Sequence, residues 1–298
     1  MPCPQVPLLL AHKIMVDTFT QRSDAVHYFL SHPHADHLKN LSPTWKGGTI
    51  YCSQITKDLL LMQMAGLDSK RLEVIPFHRK IKLTNDIEVV MFPSHHCDGG
   101  SMFWFHLKSA EEYILCSTDF RMHPKMLDHQ FFLDMPITKF YFDDTFYKFN
   151  IPFPSRDVSA HHLQKMLDEN KSETFMIDAS MLGVEPLLRK IKTNYRLSEH
   201  LKNSVRGNQL RYLLPGRIDE EKDSVLLGTK RKDNLKAGKW IMPTATKFLC
   251  KKPYEKDGNI WYVFWATHSN VHEIRLLNAI LQPKEVISCD MGVKTLRC

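Results

Sequence analysis

The run Val26-His-Tyr-Phe-Leu30, followed at once by Ser31-His32-Pro33-His34-Ala35-Asp36-His37, decides how this chain is read. Its first part is a short apolar segment of the kind that forms a buried strand. The second part packs three histidines and one aspartate into six positions. Neither the period of a strand nor that of a helix turns all four to one face. On a loop leaving a strand they can instead diverge towards two adjacent metal ions. Imidazole and carboxylate suit zinc, manganese or iron, and both occur in two-metal hydrolytic sites. A chance polar loop is the weaker reading, because such a set directly after an apolar strand is specific.

Working outward, residues 1–150 are dense in similar apolar runs. They include Thr49–Cys52, Ile87–Phe92, Met102–Leu107, Tyr113–Cys116 and Phe140–Phe142, many with the composition of strands buried on both faces. A helical pattern covers Ser53–Ala65, with Ser53 as its N-cap. The texture then changes to an amphipathic helix near Arg156–Asn170, a strand at Thr174–Ile177 and long basic helical stretches. An aromatic strand at Trp261–Trp265, a helix at Val271–Leu281 and a strand at Glu285–Ser288 restore the first texture. The expected organisation is one α/β domain, residues 1–154 and 261–298, interrupted by an inserted region at 155–260.

The chain of 298 residues is 43% hydrophobic and 24% charged, ordinary for a soluble globular protein. No apolar run reaches the length of a membrane span, and the start has no secretory signal pattern. The seven cysteines are scattered without paired spacing, which points to a reducing, intracellular compartment. The net charge is +7, and the window Arg189–Lys239 holds 14 Lys/Arg against 6 Asp/Glu. A one-sided basic segment favours a polyanionic partner, although a solvated helical face has the same composition.

The motifs resemble those of the Apollo/Artemis group of DNA-processing nucleases, which have the metallo-β-lactamase fold with a β-CASP insert. Val16-Asp17-Thr18-Phe19 is similar to the first motif and His32–His37 to the second. Ser94-His95-His96-Cys97 is similar to the third, with His96 as the matching ligand, and Ser117-Thr118-Asp119-Phe120-Arg121 to the fourth. Tyr141-Phe142-Asp143-Asp144-Thr145, with Phe153-Pro154-Ser155-Arg156, resembles the entry to the β-CASP region. Ala266-Thr267-His268-Ser269-Asn270 resembles the return. The likeness covers about residues 14–156 and 262–290 and is faint between them.

The resemblance implies an α/β fold, the αββα metallo-β-lactamase sandwich with the inserted β-CASP region. It implies that His32, His34 and His96 bind one ion, Asp36 and His37 a second, and that Asp119 bridges them. The ions would be zinc, one or two, with magnesium or manganese as alternatives at the second position. Asp17 would orient a ligand imidazole. Asp143 would sit by the metal-bound water or hold a ligand in place. His268 would be either a second-metal ligand or a donor to the scissile phosphate. Catalytic roles thus fall to Asp17, Asp36, His37, Asp119, Asp143 and His268.

Ser53, Thr56 and Arg156 are candidates for a terminal-phosphate pocket, and Lys230, Arg231 and Lys232 for nucleic-acid contacts. The implied activity is a 5′→3′ DNA exonuclease of the nucleus, in DNA repair or telomere-end processing. Its substrates would be single-stranded or duplex DNA ends with a 5′-phosphate. An RNA-cleaving β-CASP nuclease is the alternative, and a non-catalytic nucleic-acid-binding protein on the same scaffold ranks last. No membrane is implied, and no protein partner is indicated.

Three positions depart from the group's pattern. Asp98 stands where relatives carry Pro, Ser117-Thr118 replaces Thr-Gly, and Val184 replaces Lys in Met181-Leu-Gly-Val-Glu185.

Overall fold

The computed structural model describes residues 7–20, 27–219, 225–229, 233, 238–248 and 254–289. In chain order the strands begin with β1 (Ile14–Val16), β2 (His27–Phe29), β3 (Thr49–Cys52), β4 (Leu72–Val74) and β5 (Lys80–Lys82). They continue with β6 (Ile87–Pro93), β7 (Ser101–Leu107), β8 (Glu112–Cys116), β9 (Lys139–Phe142) and β10 (Phe175–Asp178). The last are β11 (Tyr195–Leu197), β12 (Val225–Gly228), β13 (Lys239–Thr244), β14 (Tyr254–Asp257), β15 (Ile260–Phe264) and β16 (Glu285–Ser288). The helices are α1 (Pro7–Ala11), α2 (Gln54–Gln63), α3 (Gln130–Asp134), α4 (Arg156–Glu169), α5 (Glu185–Lys190), α6 (Glu199–Lys202), α7 (Val205–Leu213) and α8 (Val271–Leu281). Two compact units result, one of residues 1–151 and 267–298, the other of residues 152–266.

The first unit contains a parallel sheet, β1-β2-β3-β4, and a mixed sheet ordered β16-β9-β8-β7-β6-β5. Period-two alternation decides what each strand faces. In β7, Phe103, Phe105 and Leu107 join Phe29 and Tyr51 of the other sheet in a shared core. Met102 and Trp104 of the same strand turn outward and pack with Ile274, Leu277 and Leu281 of α8. The parallel sheet behaves alike: Val16, Phe29 and Tyr51 face the shared core, while Tyr28, Ile50 and Cys52 pack with Leu60 of α2. Each sheet is therefore apolar on both faces, and helices cover the outer ones. This is the αββα sandwich of the metallo-β-lactamase type. Full burial of one such Phe contributes roughly 1.5–3 kcal/mol, so an unbroken apolar run is the composition that a doubly covered strand needs.

The second unit is built on a sheet ordered β11-β12-β10-β13-β15-β14, parallel except for β14 against β15. Ser155 caps α4 by accepting from the Val158 N–H at 3.2 Å. Ala160, Leu163 and Met166 of that helix face a core with Phe175, Ile177 and Tyr195. Two expectations are corrected here. The aromatic strand near Trp261 pairs with β13 and β14, so the chain returns to the first unit at Thr267, not at 261. The stretch expected as long basic helices contains β11, β12 and β13 between short helices. An apolar run does not specify which sheet it joins, and a parallel partner lies far away in sequence.

Val184, which departs from the motif that its segment resembles, is buried in this second core. No helix among the described residues is long and apolar enough to cross a membrane.

Candidate metal centre

The residues singled out in the first unit lie just beyond strand ends. Asp17 follows β1, His32–His37 follow β2, His96 follows β6, Asp119 follows β8 and Asp143 follows β9. Asp17 organises the loop after β2 from both of its ends. Its Oδ1 accepts from the Ser31 N–H at 2.8 Å, and its Oδ2 from the Ser31 hydroxyl at 2.5 Å. The same Oδ2 lies 2.8 Å from His37 Nδ1. Ser31 Oγ is also 2.8 Å from His32 Nδ1, and His96 Nδ1 is 3.0 Å from the Thr267 carbonyl. Because these acceptors hold a proton on Nδ1 of His32, His37 and His96, Nε2 is the ring nitrogen of each that is left for a metal, and in His37 a second proton takes that place when no cation does.

Those nitrogens converge. His34 Nδ1 lies 3.0 Å from His32 Nε2 and 3.0 Å from His96 Nε2. Asp119 Oδ2 is 3.7 Å from both Nε2 atoms and 3.3 Å from His37 Nε2. Donors around a tetrahedral ion with arms of 2.0–2.1 Å stand about 3.3 Å apart, so these separations match a coordination shell. Three groups of donor atoms each lie within 4.8 Å of one another: His32/His34/His96/Asp119, Asp17/His32/His37 and Asp119/Asp143/His268. Any of them could hold an ion. The arrangement passes a second test of fit, because His37 Nε2 is buried without a hydrogen-bond partner.

The electrostatics show a demand for positive charge. Burial holds the His32 and His96 imidazoles well below their usual pKa, so both are neutral and able to ligate. Burial also opposes charge on His37, but the Asp17 and Asp119 carboxylates outweigh it and raise its pKa to about 10. His268 is raised in the same way, burial being outweighed by Asp143 at 2.7 Å. Against the effect of its own burial, Asp119 is held well below the carboxylate range by His37, His96, His268 and His32. A proton on His37 therefore balances carboxylates that a metal cation would otherwise neutralise, and the upward shift of His268 has the same sense.

Other expected residues fall differently. Asp36 is half-exposed, its Oδ2 3.7 Å from His37 Nε2, and it joins none of the three groups. His95 stacks on His123 with ring centroids 4.5 Å apart, outside the cluster. Ser53 and Thr56, expected to face a terminal phosphate, are buried, and both hydroxyls donate to the Gly99 carbonyl at 2.7 and 3.0 Å. They fasten the loop that carries His96. Gly99 is required there: its φ is +78°, and a Cβ would meet Ile55 at 2.8 Å. Arg156 lies in the second unit, directed to the Ala266 carbonyl at 3.4 Å and over the Trp265 ring. Lys230, Arg231 and Lys232 lie outside the described residues.

Backbone strain gathers in the same loops. Asp17, His95 and Thr118 adopt left-handed φ values of 49°, 55° and 52°. For a β-branched residue such as Thr118 this conformation costs roughly 1–2 kcal/mol. Its hydroxyl offsets part of that by donating to the Ser101 and Ser117 carbonyls at 2.8 and 2.6 Å. Thr118→Gly should consequently change stability by less than about 1 kcal/mol in urea unfolding. Thr118→Val keeps the strain, loses the hydroxyl and should cost about 1–3 kcal/mol. Equal losses from both would refute this account of the turn.

Sequence reasoning did not find what positions His268. Arg121 is buried, pairs with Glu273 at 2.9 Å and donates to the His268 carbonyl at 3.3 Å. Glu273 also accepts from the Asn270 N–H at 3.1 Å, closing a capping box at the start of α8. Ser269 adds a further tie, its hydroxyl accepting from the Met122 N–H at 2.8 Å. The Ser31 contacts were equally unread, although Ser31 stands within the decisive stretch. Glu273→Gln keeps the box but leaves the Arg121 cation without a carboxylate. It should cost up to about 3 kcal/mol and lower the metal content, whereas Asn270→Ala should cost about 1 kcal/mol and leave the metal in place. Unfolding curves and metal analysis of the two variants separate these effects, and a reversed order would rule out the assignment.

No family model matches the chain. It is 32% identical over 161 residues to the DNA cross-link repair protein SNM1 of Arabidopsis thaliana, taking in 52% of this chain and 32% of that protein. With the DNA cross-link repair protein PSO2/SNM1 of Saccharomyces cerevisiae it shares 28% over 188 residues, 55% of this chain and 28% of the other. With the 5′ exonuclease Apollo of Rattus norvegicus the identity is 28% over 313 aligned positions, 95% of this chain and 53% of that protein. The chain thus spans about half the length of this Apollo relative, and less of the two SNM1 proteins. A crystal structure of a protein of unknown function from Enterococcus faecalis V583 shares the fold, with a TM-score of 0.65 at 15% identity over 88% of this chain and 75% of that one. By sequence, the chain is similar to the SNM1 and Apollo proteins, the group that its motifs resemble.

Proposed function

We propose that this protein is a metal-dependent phosphodiesterase that degrades DNA from a 5′ end. The observation that carries the reading is the convergence of His32 Nε2, His34 Nδ1, His96 Nε2 and Asp119 Oδ2 at coordination distances. The names of the SNM1 and Apollo relatives support the substrate and the polarity. A set of three imidazoles and one carboxylate suits zinc, and a position richer in carboxylates also accepts magnesium or manganese. His32, His34, His96 and Asp119 would hold the first ion. Asp119 would reach a second, held with Asp36 and His37 or with Asp143 and His268. When bound, such ions lower the pKa of a water and neutralise charge on the phosphoryl oxygens.

The chain's own groups then have distinct tasks. Asp17 fixes the tautomer and aim of His37. Asp143 takes Nδ1 of His268, so Nε2 is the atom that can donate to a phosphate or leaving oxygen. Thr145 braces Asp143 through its N–H at 3.0 Å and its hydroxyl at 2.6 Å. The name of the SNM1 relative supports a role in DNA repair, and the motif resemblance extends the proposal to the nucleus and to the processing of chromosome ends.

End-labelled DNA tests the reading. A 3′-labelled strand should give a ladder shortening from its 5′ end, and a 5′-labelled strand should release mononucleotide at once. Removing the 5′-phosphate should slow both, and a chelator should stop them. Release of the 3′ label first, or faster turnover of RNA than of DNA, would overturn the proposed polarity or substrate.

A further inference from the structure

The second unit has a concave pocket of about 510 Å³ where β10, β11 and β12 begin and α4 ends. That volume lies in the range of small-molecule sites, about 300–1,000 Å³. Lys171, Lys192 and Arg196 line it, and among the described residues none of the three has an ion-pair partner. Arg196 Nε is buried and without a hydrogen-bond partner, a cost that a ligand acceptor would remove. The two acids of the lining are both engaged: Glu173 pairs with Lys239 at 2.5 Å, and Asp168 accepts from the Gln164 amide at 3.0 Å.

We propose that this pocket binds a nucleoside polyphosphate, with Arg196, Lys192 and Lys171 on the phosphates and Asp168 on a sugar hydroxyl. Arg presents a planar fork matched to phosphate, and Lys adds point charge. Asp168 is a carboxylate that accepts from a neutral amide, so it disfavours phosphate at its own end and suits a hydroxyl donor. A ligand with an anionic end and a hydroxylated end meets both demands. A nucleic-acid strand would need a groove open along its length, whereas this site is a concavity at one end of a sheet. The site uses no residue of the metal cluster.

The test is calorimetric titration of the full chain with ATP, pyrophosphate, adenosine and a single-stranded oligonucleotide, without added divalent ions. ATP should bind saturably, pyrophosphate more weakly and adenosine not measurably. Arg196→Ala and, separately, Lys192→Glu should each weaken ATP at least tenfold. Lys192 is exposed, so its variant should fold even if Arg196→Ala does not. Asp119→Ala should leave ATP affinity unchanged, which separates this pocket from phosphate binding at the metal centre. Absence of saturable ATP binding, unchanged affinity in Lys192→Glu, loss in Asp119→Ala, or binding of the oligonucleotide alone would each overturn the proposal.

Discussion

Replacing Asp119 by alanine is expected to lower hydrolysis by about 10³-fold or more and to release bound metal. Its Oδ2 lies within 3.7 Å of the Nε2 atoms of His32, His37 and His96 together. It also belongs to two of the three donor groups. Removing it leaves neutral imidazoles to hold a dication without its charge compensation, and leaves a protonated His37 with Asp17 and the half-exposed Asp36 as counter-charges. The sandwich should persist, because Asp119 is absent from the apolar clusters that hold the sheets together. Far-ultraviolet circular dichroism checks that point. His95→Ala is the matched control, since His95 neighbours a proposed ligand in sequence yet stacks on His123 outside the cluster. It should retain metal and change the rate only a few-fold. Parental metal content in Asp119→Ala would end the ligand assignment.

Most of the centre was legible because of how a sheet presents a site. The cluster residues in the first unit stand one to eight positions beyond an apolar strand, at the end where successive loops meet. A polar group directly after a run such as Val26–Leu30 is visible in sequence. The Ser53 cap of α2 was visible for a similar local reason. What a hydroxyl faces is another matter. Ser53 and Thr56 look like phosphate contacts until the Gly99 carbonyl is seen to occupy both of them. The Arg121–Glu273 pair joins residues far apart in sequence, and although Arg121 stands in a motif, nothing local marks its partner as Glu273. Sheet membership failed for a related reason. The strand at Ile260–Phe264 has the same aromatic texture as the first unit, but its hydrogen bonds go to Lys239–Thr244 and Tyr254–Asp257.

A second large effect is expected in the other unit, at Glu185. This side chain is fully buried, with the Arg206 guanidinium against one oxygen and the Gly183 N–H 2.8 Å from the other. Arg206 continues outward, donating to the Ala179 and Met181 carbonyls at 2.8 and 2.7 Å. One ion pair thus ties α7 to the turn that leads from β10 into α5. Glu185→Ala removes the carboxylate and leaves the cation with carbonyl partners alone, so a loss of about 3–5 kcal/mol is expected. Against a typical total of about 5–15 kcal/mol, that brings the unit near its unfolding threshold. The cost is mainly that of an orphaned charge, and a double replacement should show this. Glu185→Leu combined with Arg206→Met should recover much of the stability lost by either change alone, because it removes both buried charges. Metal content should not change in the folded variants, since every proposed ligand belongs to the first unit. Urea unfolding with an unchanged slope measures the loss. Strict additivity of the two single effects would show that the pair is not coupled and that α7 is held by its apolar face.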